Sequence, residues 1–168
     1  AEREILAAIT MVSDFRPARH QLVELRARQG RIGDAIAAAE DLLREGAGVN
    51  PLFLNRVAEL YLQAGRGEAG LARFRTAVQA GHWIFGVALA RLQIGSGDAA
   101  GAARTAAAVL DQDPLDEPAM AVLFRALPAD QRAAATEGRI DRALQINRRA
   151  VMFLNWKAIL IEDRGDRD

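Results

Sequence analysis

Four expected helix-to-helix turns share one spacing, a glycine followed five residues later by alanine or glycine: Gly30 to Ala35, Gly65 to Gly70, Gly97 to Ala102 and Gly138 to Ala143. Around the second of these, residues 51–81 read PLFLNRVAELYLQAGRGEAGLARFRTAVQAG. Pro51 suits a first helical turn, where its missing N–H would have gone unpaired in any case. Leu54, Val57, Ala58 and Tyr61 then recur at three- and four-residue spacing and make one apolar stripe. Gly65 and Gly67 end that helix, and a second stripe runs through Leu71, Phe74, Ala77 and Val78. Neither helix has enough apolar surface to be stable alone in water. The two must therefore pack as an antiparallel hairpin, with Ala58 and Gly70 letting the axes approach and Tyr61 and Phe74 filling the remaining space.

The rest of the chain varies this unit. Residues 1–12, AEREILAAITMV, make a short amphipathic helix with Ile5, Leu6, Ile9 and Met11 available to pack on the first hairpin, and Ser13 and Asp14 serve as caps or turn formers. Hairpins are expected over 17–44, 51–80 and 82–112. The third departs from the pattern: Gly86 stands where a large residue is expected, and its second helix is rich in alanine with no aromatic, which reads first as tolerated drift, with looser packing or a close approach by a partner as the alternatives. Residues 116–151 form an irregular fourth repeat, with a helix from Pro118 to Ala126, a break at Leu127-Pro128, a short polar helix to Glu137, and then GRIDRALQINRRAV as the second helix. Residues 153–165, FLNWKAILIEDRG, match FLNRVAELYLQAG of residues 53–65 at Phe, Leu, Asn, Ala, Leu and Gly. They place the first helix of a fifth repeat at 152–165. The Arg164-Gly165-Asp166 triplet reads as turn punctuation.

The first three glycines lie 35 and 32 residues apart, close to the roughly 34-residue period of one helical repeat class. In that frame Leu54, Val57, Ala58, Tyr61, Gly65, Gly70, Phe74 and Ala77 match the signature in type or size, and Asp113-Pro114 is a frequent ending. The chain resembles the tetratricopeptide repeat (TPR) family. The terminal proline of the signature is missing from the central repeat. The resemblance implies one all-α domain over 1–168, a right-handed superhelix of antiparallel hairpins with about four repeats and the first helix of a fifth, continuous from 17 to 110.

Composition narrows the function. The 22 basic and 22 acidic residues cancel and are mixed along the chain, so no cationic footprint for nucleic acid or anionic lipid is present. Lys157 is the sole lysine, in keeping with a GC-rich, bacterial coding sequence. No apolar run reaches the roughly 20 residues of a membrane span, and the compartment stays open between cytoplasm and periplasm. The absence of cysteine removes disulfides, zinc thiolates and cysteine nucleophiles. His20 and His82 sit in no metal-ligand spacing, and GRGEAG and GSGDAAG fit helix-to-helix turns and not a phosphate cradle. No cofactor, metal or catalytic residue is expected.

The resemblance instead implies binding. In TPR proteins the first helices line a concave groove that takes extended peptides or a partner helix. Carried onto this chain, that face comprises His20, Glu24 and Arg28, then Asn55, Glu59 and Gln63, then Ile84, Val87 and Arg91. Asn55 stands out because a groove asparagine can pair with a peptide backbone, and Asn155 repeats it. The Lys-and-Asn pattern that grips a C-terminal carboxylate in chaperone adaptors is absent. The last helix is apolar on most sides, and Met152, Phe153, Trp156, Ile159 and Leu160 are candidates for an interface. Its cover would come from a continuing chain or from another molecule. Three readings follow: a peptide- or protein-binding scaffold that assembles a complex, a regulatory or substrate-presenting module of a larger enzyme, and a homo-oligomer built through the C-terminal helix.

Overall fold

The computed structural model describes residues 1–12, 15–45 and 49–163; Ser13, Asp14 and the Arg164-Gly165-Asp166 triplet lie outside them. Among the described residues the chain is entirely helical: α1 (Glu2–Met11), α2 (Arg16–Arg28), α3 (Ile32–Glu45), α4 (Pro51–Gln63), α5 (Gly67–Gln79), a 3-10 turn at Trp83–Phe85, α6 (Gly86–Gly95), α7 (Ala99–Gln112), α8 (Glu117–Ala126), α9 (Ala129–Ile146) and α10 (Val151–Asp163). Packing divides the chain into two compact units, Ala1–Arg73 and Phe74–Asp168, and the division falls within α5.

The glycine turns have one construction. Gly30, Gly65 and Gly97 adopt φ of 75°, 66° and 85°, the left-handed region that a side chain disfavours. The next N–H in each case reaches back to close the helix end: Arg31 to the Arg26 carbonyl, Arg66 to Tyr61 and Asp98 to Gln93, at 2.9, 2.9 and 2.8 Å. Three helix starts, those of α4, α7 and α8, are fixed by side chains. Asn50 Oδ1 accepts from the Phe53 N–H at 2.9 Å, and Asp98 and Asp116 cap α7 and α8 in the same way at 2.7 Å.

Gly138 is different, and here the expectation fails. It has no left-handed φ and lies inside α9, one helix from Ala129 to Ile146. The segment around it is rich in Ala and Arg, which favour helix strongly enough to carry one exposed glycine that costs about 1 kcal/mol. The short polar helix and the second helix expected to follow it are therefore a single element. The turn of the fourth hairpin is Leu127-Pro128, where Arg132 Nε donates to the carbonyls of Phe124 and Leu127 at 3.1 and 3.2 Å and closes the end of α8.

In the first unit the core is built from α2, α3 and α4, with Val23, Ile36, Leu42, Leu54, Val57 and Leu60 buried. Helix α1 lies antiparallel to α2: Glu2 accepts from Arg26 Nε at 3.2 Å and from Arg31 Nη1 at 2.8 Å, while Leu6 and Ile9 sit beside Arg19 and Leu22. These arginines hold the Glu2 carboxyl below its ordinary value. Between repeats, Glu40 on α3 takes the Tyr61 hydroxyl at 2.7 Å and Arg73 Nε at 3.1 Å. The ring of Tyr61 lies against Gly70 so closely that a Cβ there would stand 2.8 Å from Tyr61 Cγ.

The second unit has its core in α6 to α10, around Met120, Leu123, Ile140 and Phe153. Gly86 does not loosen this packing. A Cβ at that position would run into Val109 Cγ2, and Ala90, Ala102 and Ala106 are each fully buried. The small residues of α6 and α7 bring the two axes together, and the valine fills the space that the glycine leaves. Buried Gln93 is satisfied by Thr105, whose hydroxyl donates at 2.7 Å. Helix α10 anchors through Trp156, stacked on Phe124 with 6.0 Å between ring centroids, and through Phe153, edge-on to Trp156 at 5.3 Å.

Two outcomes follow for stability. Gly86→Ala gains about 1 kcal/mol of helix propensity, yet it should destabilise the protein by about 1–3 kcal/mol through overpacking. Adding Val109→Ala should recover much of that loss, and a double-mutant cycle by urea denaturation reads the coupling. Burial, and next the bond to Glu40, push the Tyr61 hydroxyl up to about 12. Its folded value is raised above the unfolded one near 10, so its stabilisation is complete below pH 10 and is lost as pH rises toward 12. Wild type should lose stability relative to Tyr61→Phe over that window, and a flat difference between the two curves would count against the bond.

Candidate binding surface

Three of the expected groove residues, His20, Glu24 and Arg28, line one cleft of about 460 Å³ together with Ile5, Gln21 and Leu25. Helix α2 presents them at successive turns because they recur every four residues. Arg28 is exposed at the end of α2, whereas His20 and Glu24 are half-buried. Two of these residues, His20 and Glu24, also meet α4. The His20 ring stands edge-on to Phe53 with 4.4 Å between centroids, and Arg56 Nε donates to Glu24 Oε1 at 2.9 Å. Because 20 faces 53 and 24 faces 56, the two first helices run parallel.

Arg56 joins the surface together. It bonds Glu24 on α2 through two nitrogens, at 2.9 and 3.3 Å, and Glu59 on its own helix at 3.3 Å. The bond to Glu24 leads the effects that hold the guanidinium above its ordinary value. Sequence reasoning did not assign this residue, Phe53, Ile5, Gln21 or Leu25 to the binding face, although it had placed Ile5 in the packing of the first helix on the first hairpin. The signal for Arg56 was present: it lies 32 residues after Glu24, nearly one repeat, and three before Glu59.

Asn55 sits half-buried on α4 beside Arg56, and its Oδ1 is enclosed with no hydrogen-bond partner. Leaving a buried acceptor unpaired costs about 1–3 kcal/mol. Glu59 and Gln63 continue the same face and are exposed. The structure thus brings six expected residues of the first unit onto α2 and α4.

The expected residues of the second unit fare differently. Ile84 is exposed on the 3-10 turn and Arg91 is exposed on α6. Val87 is a core residue, 6% exposed, packed with the α7 and α8 side chains, so it does not line a groove. On α10, Phe153, Trp156 and Leu160 are likewise buried, because Phe124 and the rest of the core cover that side. Met152 and Ile159 are exposed, and the open apolar face also includes Val151, Leu154 and Ile161, with Asn155 among them.

Among the described residues no group of three or more His, Asp or Glu is placed to hold a metal ion, and no helix is long and apolar enough to cross a membrane. No protein-family model and no curated protein matches the sequence. A solved structure does match in fold: YrrB, a TPR protein with an unusual peptide-binding site, superposes with a TM-score of 0.53 over 94% of this chain and 81% of that one, at 16% identity. The fold is TPR-like. The all-helical array of hairpins seen here therefore has the TPR-like solenoid architecture, as the signature residues of the central repeat implied.

Arg56→Gln separates the electrostatic role from packing. It leaves Glu24 and Glu59 without their shared cation, and it should destabilise the first unit by about 1 kcal/mol, with the loss shrinking as salt is raised. Urea denaturation at two ionic strengths checks this, and a salt-independent loss would assign the effect to the stem of the arginine.

Proposed function

We propose that the chain is a peptide- or protein-binding module, acting as a scaffold or adaptor through the face of α2 and α4. The TPR-like fold supports a binding role in general, and YrrB, which shares it, is described as having a peptide-binding site. The observation that carries the reading to this face is the enclosed, unpartnered Oδ1 of Asn55. An unpaired acceptor gains a full hydrogen bond from a peptide N–H once the side chain turns to meet it, and that turn relieves an oxygen that the free protein leaves unsatisfied. On either side the surface offers a fixed cation and two carboxylates, with exposed Gln63 beyond. These suit an extended backbone of mixed polarity more than a strongly charged tail. The protein acts by holding a partner and carries no catalytic step of its own.

The test is selection of peptides from a random library on the purified protein, followed by affinity measurement. Asn55→Ala should weaken selected peptides roughly ten- to hundredfold, the factor that one hydrogen bond to a buried group carries. The same substitution should leave the free protein as stable as wild type or slightly more stable, because it removes an unpaired buried acceptor. Failure to select any peptide, or equal affinity for the Asn55→Ala variant, would overturn the reading.

A further inference from the structure

The charges where α2 meets α4 do not cancel, because two carboxylates share one guanidinium. Arg56 serves both oxygens of Glu24, donating from Nε to Oε1 at 2.9 Å and from Nη2 to Oε2 at 3.3 Å. Glu59 receives a single bond, from Nη1 to its Oε2 at 3.3 Å, and its Oε1 has no partner among the described residues. The Glu59 side chain is also the most open of the three, 54% exposed against 41% for Glu24 and 28% for Arg56. Glu24 thus holds the cation in place, and Glu59 is left with charge to offer.

Glu59 stands one turn after Asn55 on α4, a spacing that puts about 6 Å between the Cβ atoms of the two residues. A peptide whose backbone N–H reaches the enclosed Asn55 Oδ1 therefore brings its adjacent side chains within reach of the Glu59 carboxylate. Other charged groups do not fill that place. Arg28, the exposed cation at the end of α2, lines the cleft toward α1, and the His20 ring stands against Phe53. A lysine or arginine from a partner would complete the set, whereas an acidic side chain would meet an unneutralised carboxylate.

We propose that the partner held on this face is an extended segment with a lysine or arginine, its backbone N–H on Asn55 and its basic head group on Glu59. This rests on the binding role proposed above and names the class of partner. Because Arg56 stays bonded to Glu24, the incoming cation displaces nothing. The ion pair it makes is partly exposed, so it contributes to choice of partner more than to affinity. Rejection of an acidic residue at the same place sharpens that choice.

Sequencing the peptides that the whole chain selects from a random library at low salt tests it. Lysine or arginine should be enriched at one position. Glu59→Gln changes an exposed side chain and leaves Arg56 its bonds to Glu24, and it should weaken those peptides roughly three- to fivefold, with the gap closing as salt is raised. Replacing the peptide's basic residue by alanine should make wild type and Glu59→Gln bind alike, the closure of a double-mutant cycle. Glu59→Lys should turn the selection toward Asp or Glu. Peptides without a basic preference, peptides rich in Asp or Glu on the wild type, or basic peptides that bind Glu59→Gln as tightly as wild type would each overturn the proposal. If such peptides still depend on Asn55, the binding role stands and only the partner class falls. If no peptide is selected, both fall together.

Discussion

Helices of 10 to 18 residues, as found here, are too short to hold themselves in water. Each depends on neighbours, and how near those neighbours come is set by small residues at the crossings. Gly70 lets the Tyr61 ring lie flat against the α5 backbone. In the third hairpin the volumes are exchanged: glycine stands on the first helix at Gly86, and Val109 on the second fills the gap. What the fold constrains is the total volume at a crossing, and either helix can supply it.

The polar links obey a register of their own. The three residues whose carbonyls close the glycine turns are Arg26, Tyr61 and Gln93. Each also carries a long polar side chain with a partner: Glu2 for Arg26, Glu40 for Tyr61 and Thr105 for Gln93. This position lies at the inner end of a first helix, where the next polypeptide segment passes close by and an unpaired polar tip would be costly. On α10 the equivalent position is Ile161, apolar and open.

Much of this was legible in the sequence, for identifiable reasons. The glycine turns at 30, 65 and 97 were visible because a left-handed backbone demands glycine and the spacing repeats. Gly138 satisfied the same pattern without the conformation, since a glycine inside a strong helix-forming segment leaves no mark that distinguishes it from a turn. Helical periodicity also could not tell which of two apolar flanks is covered. It grouped Phe153, Trp156 and Leu160, which are core, with Met152 and Ile159, which are exposed. Val87 was misplaced for the same reason: the groove position is shared by the repeats, but close packing of α6 with its neighbours buries it. Arg56 escaped because its partner Glu24 is distant in sequence, and only the repeat register brings them together.

The Asn55 face proposed for binding and the open flank of α10 would hold a partner by different physics. Enclosed Asn55 Oδ1 carries its desolvation cost already in the free protein, so a donor that reaches it gains in full, and only a group with the right geometry can do so. The open flank of α10 gains in proportion to the apolar area removed from water, which gives affinity with little directional preference.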